Sequence, residues 1–194
     1  TEIVDPVPPF GGMINGNVKI GFDQHKKPVI SYHKYDKKGN TQMYVARREN
    51  SGWRSVQISQ WNDFRWDFSG GGSLGRFAVK PYSPEVIDEN TIGVMVRKKD
   101  DVMRFILDAK TLSTLRVEKA EIYPSALIAK TNAANEQLLL VNGNTLEHHA
   151  FKGRGDLSPN GGEYYLTWHS QPGNRDRAHE KISAPSALLL HEVN

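Results

Sequence analysis

The chain has no cysteine among its 194 residues. That excludes disulfide bracing and thiolate metal sites and leaves the redox compartment open. No apolar run reaches the roughly 18 residues of a membrane-spanning helix. The N-terminus lacks the basic-then-apolar pattern of a secretion signal, an appearance that a mature exported protein shares. An excess of one charge is also missing. Lys and Arg number 25 against 22 Asp and Glu, a formal charge of +3, too small and too scattered for nucleic acid. A few focused arginines remain able to hold an anion. Finally, no segment sustains a helical period.

What is present reads as strands and turns. The run Pro28 to Asn50 is a hairpin: Val29, Ile30, Tyr32 and Tyr35 have strand character, Asp36-Lys-Lys-Gly-Asn40 is a turn signal, and Met43, Tyr44 and Val45 open a second strand. Tyr32, His33, Arg47 and Arg48 lie inside these strands, where a buried charge needs a partner or a wet cavity. Val18 to Phe22 precedes the hairpin and Trp53 to Ile58 follows it, giving four strands in about 40 residues. Thr1 to Met13, with Pro6, Pro8, Pro9, Gly11 and Gly12, reads as an irregular lead-in.

Trp61 to Leu74 is a long loop carrying Trp61, Phe64, Trp66 and Phe68 before Ser69-Gly-Gly-Gly-Ser73. Its rings either cover a site or plug the space between two sheets. A second set of strands follows at Phe77 to Lys80, Thr91 to Arg97, Val102 to Asp108 and Ser113 to Val117. A third lies at Ser125 to Ala129, Gln137 to Val141 and Thr145 to Phe151, with an Asn142-Gly143 hairpin signal. The last group has two strands, Glu163 to His169 and Ala187 to Val193. The expected architecture is all-β, with antiparallel four-stranded blades of a β-propeller. Residues 1–16 form the lead-in, and blade-like units span about 17–60, 75–118, 120–157 and 162–194. Three and a half blades do not close a ring, so further N-terminal blades, in the same chain or another, are expected.

Four stretches carry a family resemblance: Pro28-Val-Ile-Ser-Tyr-His-Lys-Tyr-Asp, Gly39-Asn-Thr-Gln-Met-Tyr-Val-Ala-Arg, Trp66-Asp-Phe-Ser-Gly-Gly-Gly-Ser, and Tyr165-Leu-Thr-Trp with Pro172-Gly-Asn-Arg-Asp-Arg. Together they resemble the C-terminal half of propeller proteins carrying BNR repeats, a group that includes ulvan lyases and rhamnosyl-glucuronate lyases. The resemblance implies a seven-bladed ring, secreted or periplasmic, that binds an acidic polysaccharide across its mouth. It implies a tyrosine and histidines for proton transfer and arginines on the uronate carboxylate. By motif the tyrosine is Tyr32 and the arginine Arg47, with Arg48 exchanged for it by a one-residue slip in register. His33, Arg97, Asn174, Arg175 and Trp66 fall on the implied substrate face. The family's paired histidines belong to an earlier blade, so none of the seven here takes that role.

The implied chemistry is β-elimination: a base removes the C5 proton, the C4–O bond breaks, and an acid protonates the leaving oxygen. Guanidinium groups on the carboxylate oppose the charge of the developing enolate. Tyrosine, with an ordinary pKa of about 10, is drawn toward ionisation by neighbouring cations. Each residue also has a plainer reading. Tyr32 packs, His33 is a hydrogen-bonded core histidine, Arg47 pairs with Glu49, Arg97 decorates the turn Arg97 to Asp101, and Arg175 belongs to a solvated charge cluster.

No clear metal motif is present, and no cofactor is assigned; a structural divalent ion stays open. His148 and His149 are adjacent and on a strand point to opposite faces, while His169, Asp176 and His179 have no recognisable spacing. Two other functions are open, a non-catalytic acidic-glycan-binding propeller and a sialidase-like glycoside hydrolase. For the latter, Asp23, Asp36 and Asp67 offer carboxylates without an Asp-box repeat.

Overall fold

The computed structural model describes residues 2–68, 77–134, 147–152, 163–171 and 184–193. The chain divides into two compact units, residues 1–122 and 123–194. The architecture is all-β and propeller-like, made of antiparallel sheets whose strands follow one another in sequence.

In the first unit one sheet has the order β1 (Lys19–Phe22), β2 (Pro28–Tyr35), β3 (Thr41–Glu49) and β4 (Gly52–Gln57). The Asp36 turn is built as its residues dictate. The Asp36 carboxylate accepts the backbone N–H groups of Lys38 and Asn40, each at 2.9 Å, and Gly39 takes a φ of +85°, where a side chain would be strained. This turn centres on Lys38 and pairs Tyr32 with Tyr44 and Val29 with Arg47.

The second sheet is β5 (Val79–Pro81), β7 (Thr91–Lys98), β8 (Asp101–Asp108) and β9 (Thr114–Lys119), with the short β6 (Glu85–Val86) also on β7. One edge of β7 is thus shared by two short strands, and β6 falls in the segment read from sequence as a loop.

The two sheets enclose one apolar seam. Val29, Met43 and Val45 meet Val94, Val96, Phe105 and Leu107, all at most 2% exposed. The aromatic loop closes one end: Phe64 is buried and Trp61 and Trp66 pack against the seam. Its rings therefore plug the gap between sheets. Polar ties stitch the sheets together around the seam. Asn17 Nδ2 donates to the Val79 carbonyl (2.7 Å), Ser31 Oγ to that of Tyr82 (2.8 Å) and Thr114 Oγ1 to that of Ile58 (2.7 Å).

The lead-in is not a loose linker. Val4 and Met13 pack on the opposite face of the first sheet, against Tyr32, Tyr44 and Ala46. The Gly11 carbonyl accepts the Tyr35 N–H at 2.8 Å. With little regular structure of its own beyond the 3-10 turn Asn15–Asn17, this strap is ordered by what it covers.

The second unit contains α1 (Ser125–Ala134) and a sheet of order β10 (Glu147–Lys152), β11 (Glu163–Ser170) and β12 (Leu189–Val193). Two expectations are corrected. Ser125 to Ala129 is helical, because four alanines in ten residues favour helix and Leu127 and Thr131, one turn apart, are the buried positions. The groups expected as separate third and fourth blades instead share one sheet through β10 and β11. Gln137 to Val141 and the Asn142-Gly143 turn lie outside the described residues.

Gly21, on the edge strand β1, marks the tightest approach among the described glycines, for a Cβ there would run into the Pro84 carbonyl. Gly21→Ala is expected to lower stability by about 1–3 kcal/mol, as overpacking does, and the urea midpoint of unfolding reads the loss.

Candidate functional site

Strand alternation decides which predicted residues meet. On β2 and β3, Tyr32, Tyr44, Ala46 and Arg48 face the strap, whereas His33, Met43, Val45 and Arg47 face the seam. Tyr32 and Arg47 are therefore on opposite faces of the sheet, and the pair named from the motif does not converge. Arg48 shares the face of Tyr32, four residues along β3 from its partner Tyr44, about 13 Å by strand rise.

Arg47 is occupied by the protein. It donates to the carbonyls of Ala109 and Lys110 (Nη2, 2.9 Å) and to Glu49 (Nη2, 3.0 Å), and lies 3.7 Å from the buried Asp23 carboxylate. These bonds tie β3 to the turn after β8. The plainer reading of Arg47, pairing with Glu49, is the observed one, with Asp23 and two carbonyls added. A polar cleft of about 430 Å³ opens beside it, lined in part by Lys27, Glu89, Asn90 and Lys110.

The Tyr32 face is a carboxylate-holding surface. Arg48 grips the Glu2 carboxylate through Nε and Nη2, both at 2.8 Å, and the Trp53 indole N–H adds a third donor at 3.1 Å. Farther along, Asp5 receives the Tyr32 hydroxyl, the Ser55 hydroxyl (3.2 Å) and the Lys34 ammonium (2.6 Å). Tyr32 is also within 2.6 Å of Ser55 Oγ and stacks on Tyr44 at 5.9 Å. Burial pushes the Asp5 carboxyl upward, but Lys34 and Tyr32 outweigh it and hold it below its ordinary value. Burial first, and then Asp5, push the Tyr32 phenol well up. The drift toward ionisation expected from a neighbouring arginine is thereby reversed, and Tyr32 is a neutral donor. Glu2, Asp5, Lys34, Trp53 and Ser55 were missed from sequence. Strand alternation, which puts Lys34 on β2 and Trp53 and Ser55 on β4 on the face of Tyr32, could have found those three, whereas no local signal marks the strap.

The remaining predicted residues separate. His33 is fully buried in the seam, its ring 5.1 Å from that of Trp66 and 6.3 Å from Phe68. It is a core histidine: among the described residues no hydrogen bond to its ring nitrogens meets strict geometry, and the polar group that acts on the ring is the Gly12 backbone. Trp66 packs on the seam beside it. Arg97 donates to the Lys99 carbonyl at 2.9 Å, bracing the β7–β8 turn. Asn174 and Arg175 lie outside the described residues. Among the described residues no group of three or more metal-ligating side chains occurs.

Burial lowers the His33 pKa from 6.5 to about 4, against a smaller opposite pull from the Gly12 backbone. Between those values the unfolded chain binds a proton that the folded chain refuses. Stability is thus full above pH 6.5 and falls as pH drops toward 4, by about 3 kcal/mol. Melting temperatures across this range are expected to fall steeply for the native chain, and His33→Leu should flatten that part of the slope.

Residues 1–61 match the family model described as a BNR repeat-containing family member, a stretch covering the strap and the whole first sheet. No curated protein matches the chain. The first sheet with its strap is thereby similar to the BNR-repeat class of propeller proteins.

Proposed function

We propose that this chain binds an acidic polysaccharide through the strap-facing surface of its first sheet. The carrying observation is the Arg48 grip: a bidentate guanidinium and an indole N–H already close on a carboxylate, that of Glu2, at a partly exposed position. A uronate presents the same planar anion beside hydroxyl groups. Lys34 repeats the recognition of a carboxylate at Asp5, and Ser55 and Trp53 add a hydroxyl and an aromatic face next to it. Similarity of residues 1–61 to BNR-repeat proteins supports a carbohydrate-active propeller as the setting.

β-Elimination is the second reading, favoured by one observation: Tyr32 lies on the Arg48 face. In that reading the neutral phenol donates its proton to the leaving O4, Arg48 holds the carboxylate that stabilises charge at C5, and the base comes from outside this chain. Arg97, on the second sheet, has no part in it.

The experiment uses a polyuronate and its carboxyl-reduced, neutral counterpart. Affinity electrophoresis of the native chain should show binding to the first and not the second. Arg48→Ala should weaken it at least tenfold, and Glu2→Gln, which frees Arg48, should strengthen it. Arg47→Met should lose stability and leave binding unchanged. Equal retention of both polymers, or full binding by Arg48→Ala, overturns the proposal. New ultraviolet absorbance from a C4–C5 double bond, abolished by Tyr32→Phe, would add the elimination; binding without it leaves the function as recognition alone.

A further inference from the structure

Four of the chain's seven histidines, His148, His149, His169 and His191, stand on the three-stranded sheet of the second unit. The register sorts them. His148 is directly opposite His169 on one face, whereas His149 is opposite Trp168 and stacks on it at 5.2 Å. His191 shares the His148 face and is engaged at 2.8 Å with the Thr167 hydroxyl. Helix α1 reaches the same face, where Asn132 meets His169 and Thr131 meets Thr167.

His169 is 6% exposed, and its Nε2 lies 3.0 Å from Asn132 Oδ1. A carbonyl oxygen only accepts, so Nε2 carries the proton and Nδ1 keeps a bare lone pair. Among the described residues Nδ1 has no partner, and neither does the buried Nε2 of His148. The two rings stand 5.3 Å apart at 75°. Two imidazoles on one tetrahedral ion, with metal–nitrogen bonds of about 2.0–2.1 Å, place their ring centres about 5.2 Å apart. A ligating histidine commonly fixes its tautomer by donating the other N–H to an oxygen, the role Asn132 has toward His169.

We propose that His148 and His169 together bind one divalent transition-metal ion of the imidazole-preferring class, zinc or copper, with water completing its coordination. The ion would clamp β10 to β11 at the helix-covered face. The site belongs wholly to the second unit, and its test does not depend on glycan binding.

The test titrates the EDTA-stripped full chain with zinc chloride by calorimetry. One ion per chain is expected, together with a higher melting temperature in its presence. His148→Gln and His169→Gln should each reduce affinity at least tenfold, Asn132→Ala about tenfold, and His149→Gln, on the other face, not at all. No saturable uptake, or uptake unchanged in both His148→Gln and His169→Gln, overturns the site. Should either variant lose its β-sheet circular dichroism, zinc-edge X-ray absorption of the loaded native chain decides. Two imidazole ligands support the site, and fewer than two overturn it.

Discussion

The first unit depends on a dry seam between two sheets. Its walls are the same-face residues of β2 and β3 on one side and of β7 and β8 on the other, nearly all inaccessible to water. Because side chains alternate with a period of two, committing Val29, Met43 and Val45 to the seam sends Tyr32, Tyr44 and Arg48 to the other face. Arg47, in phase with the seam, is left to satisfy itself at its rim. There it meets two carbonyls and two carboxylates, and the guanidinium becomes a cross-sheet tie. A buried ion pair of this kind adds little net stability but is costly to break from one side.

The outward face follows a different logic. Its polar groups are held by the strap and not by a second sheet, and two of the strap's few polar side chains, Glu2 and Asp5, are carboxylates that meet cations and hydroxyls. The contacts at Asp5 satisfy groups that burial would otherwise penalise. The neutral phenol at Tyr32 results from that arrangement, since desolvation and an adjacent anion both disfavour its ionised form.

Much of this was legible in the residues. The hairpin, its turn, the first four-strand sheet and all of the second except the short β6 were readable from alternation and from Asp and Gly at the bends. The helix at Ser125–Ala134 was not: its buried positions are only Leu127 and Thr131, too few for a period to emerge, and Leu127-Ile128 mimics a strand. The strap was opaque for a related reason, since a proline-rich segment without periodicity is ordered only by partners distant in sequence. At the candidate site, the motif fell on two paired strands, but the two residues it named lie on opposite faces of them. The turn centre at Lys38 settles that, because residues equidistant from it pair and share a face, and Tyr32 and Arg47 differ in parity. Had the turn been one residue longer, the two would have shared a side. The histidine pair was hidden because chain neighbours, His148 and His149, draw the eye, while the true neighbour of His148 is across the sheet.

The strap has a consequence for selectivity. The Glu2 carboxylate, held beside Arg48 by the strap, is an internal competitor for that guanidinium. In the proposed polyuronate binding, a monomeric sugar acid would have to outcompete it in a single contact. A polymer engages several positive groups at once and gains avidity that one tethered anion lacks. The Glu2 contact would thus act as a threshold, letting long polyanions register while free sugar acids in solution pass unnoticed.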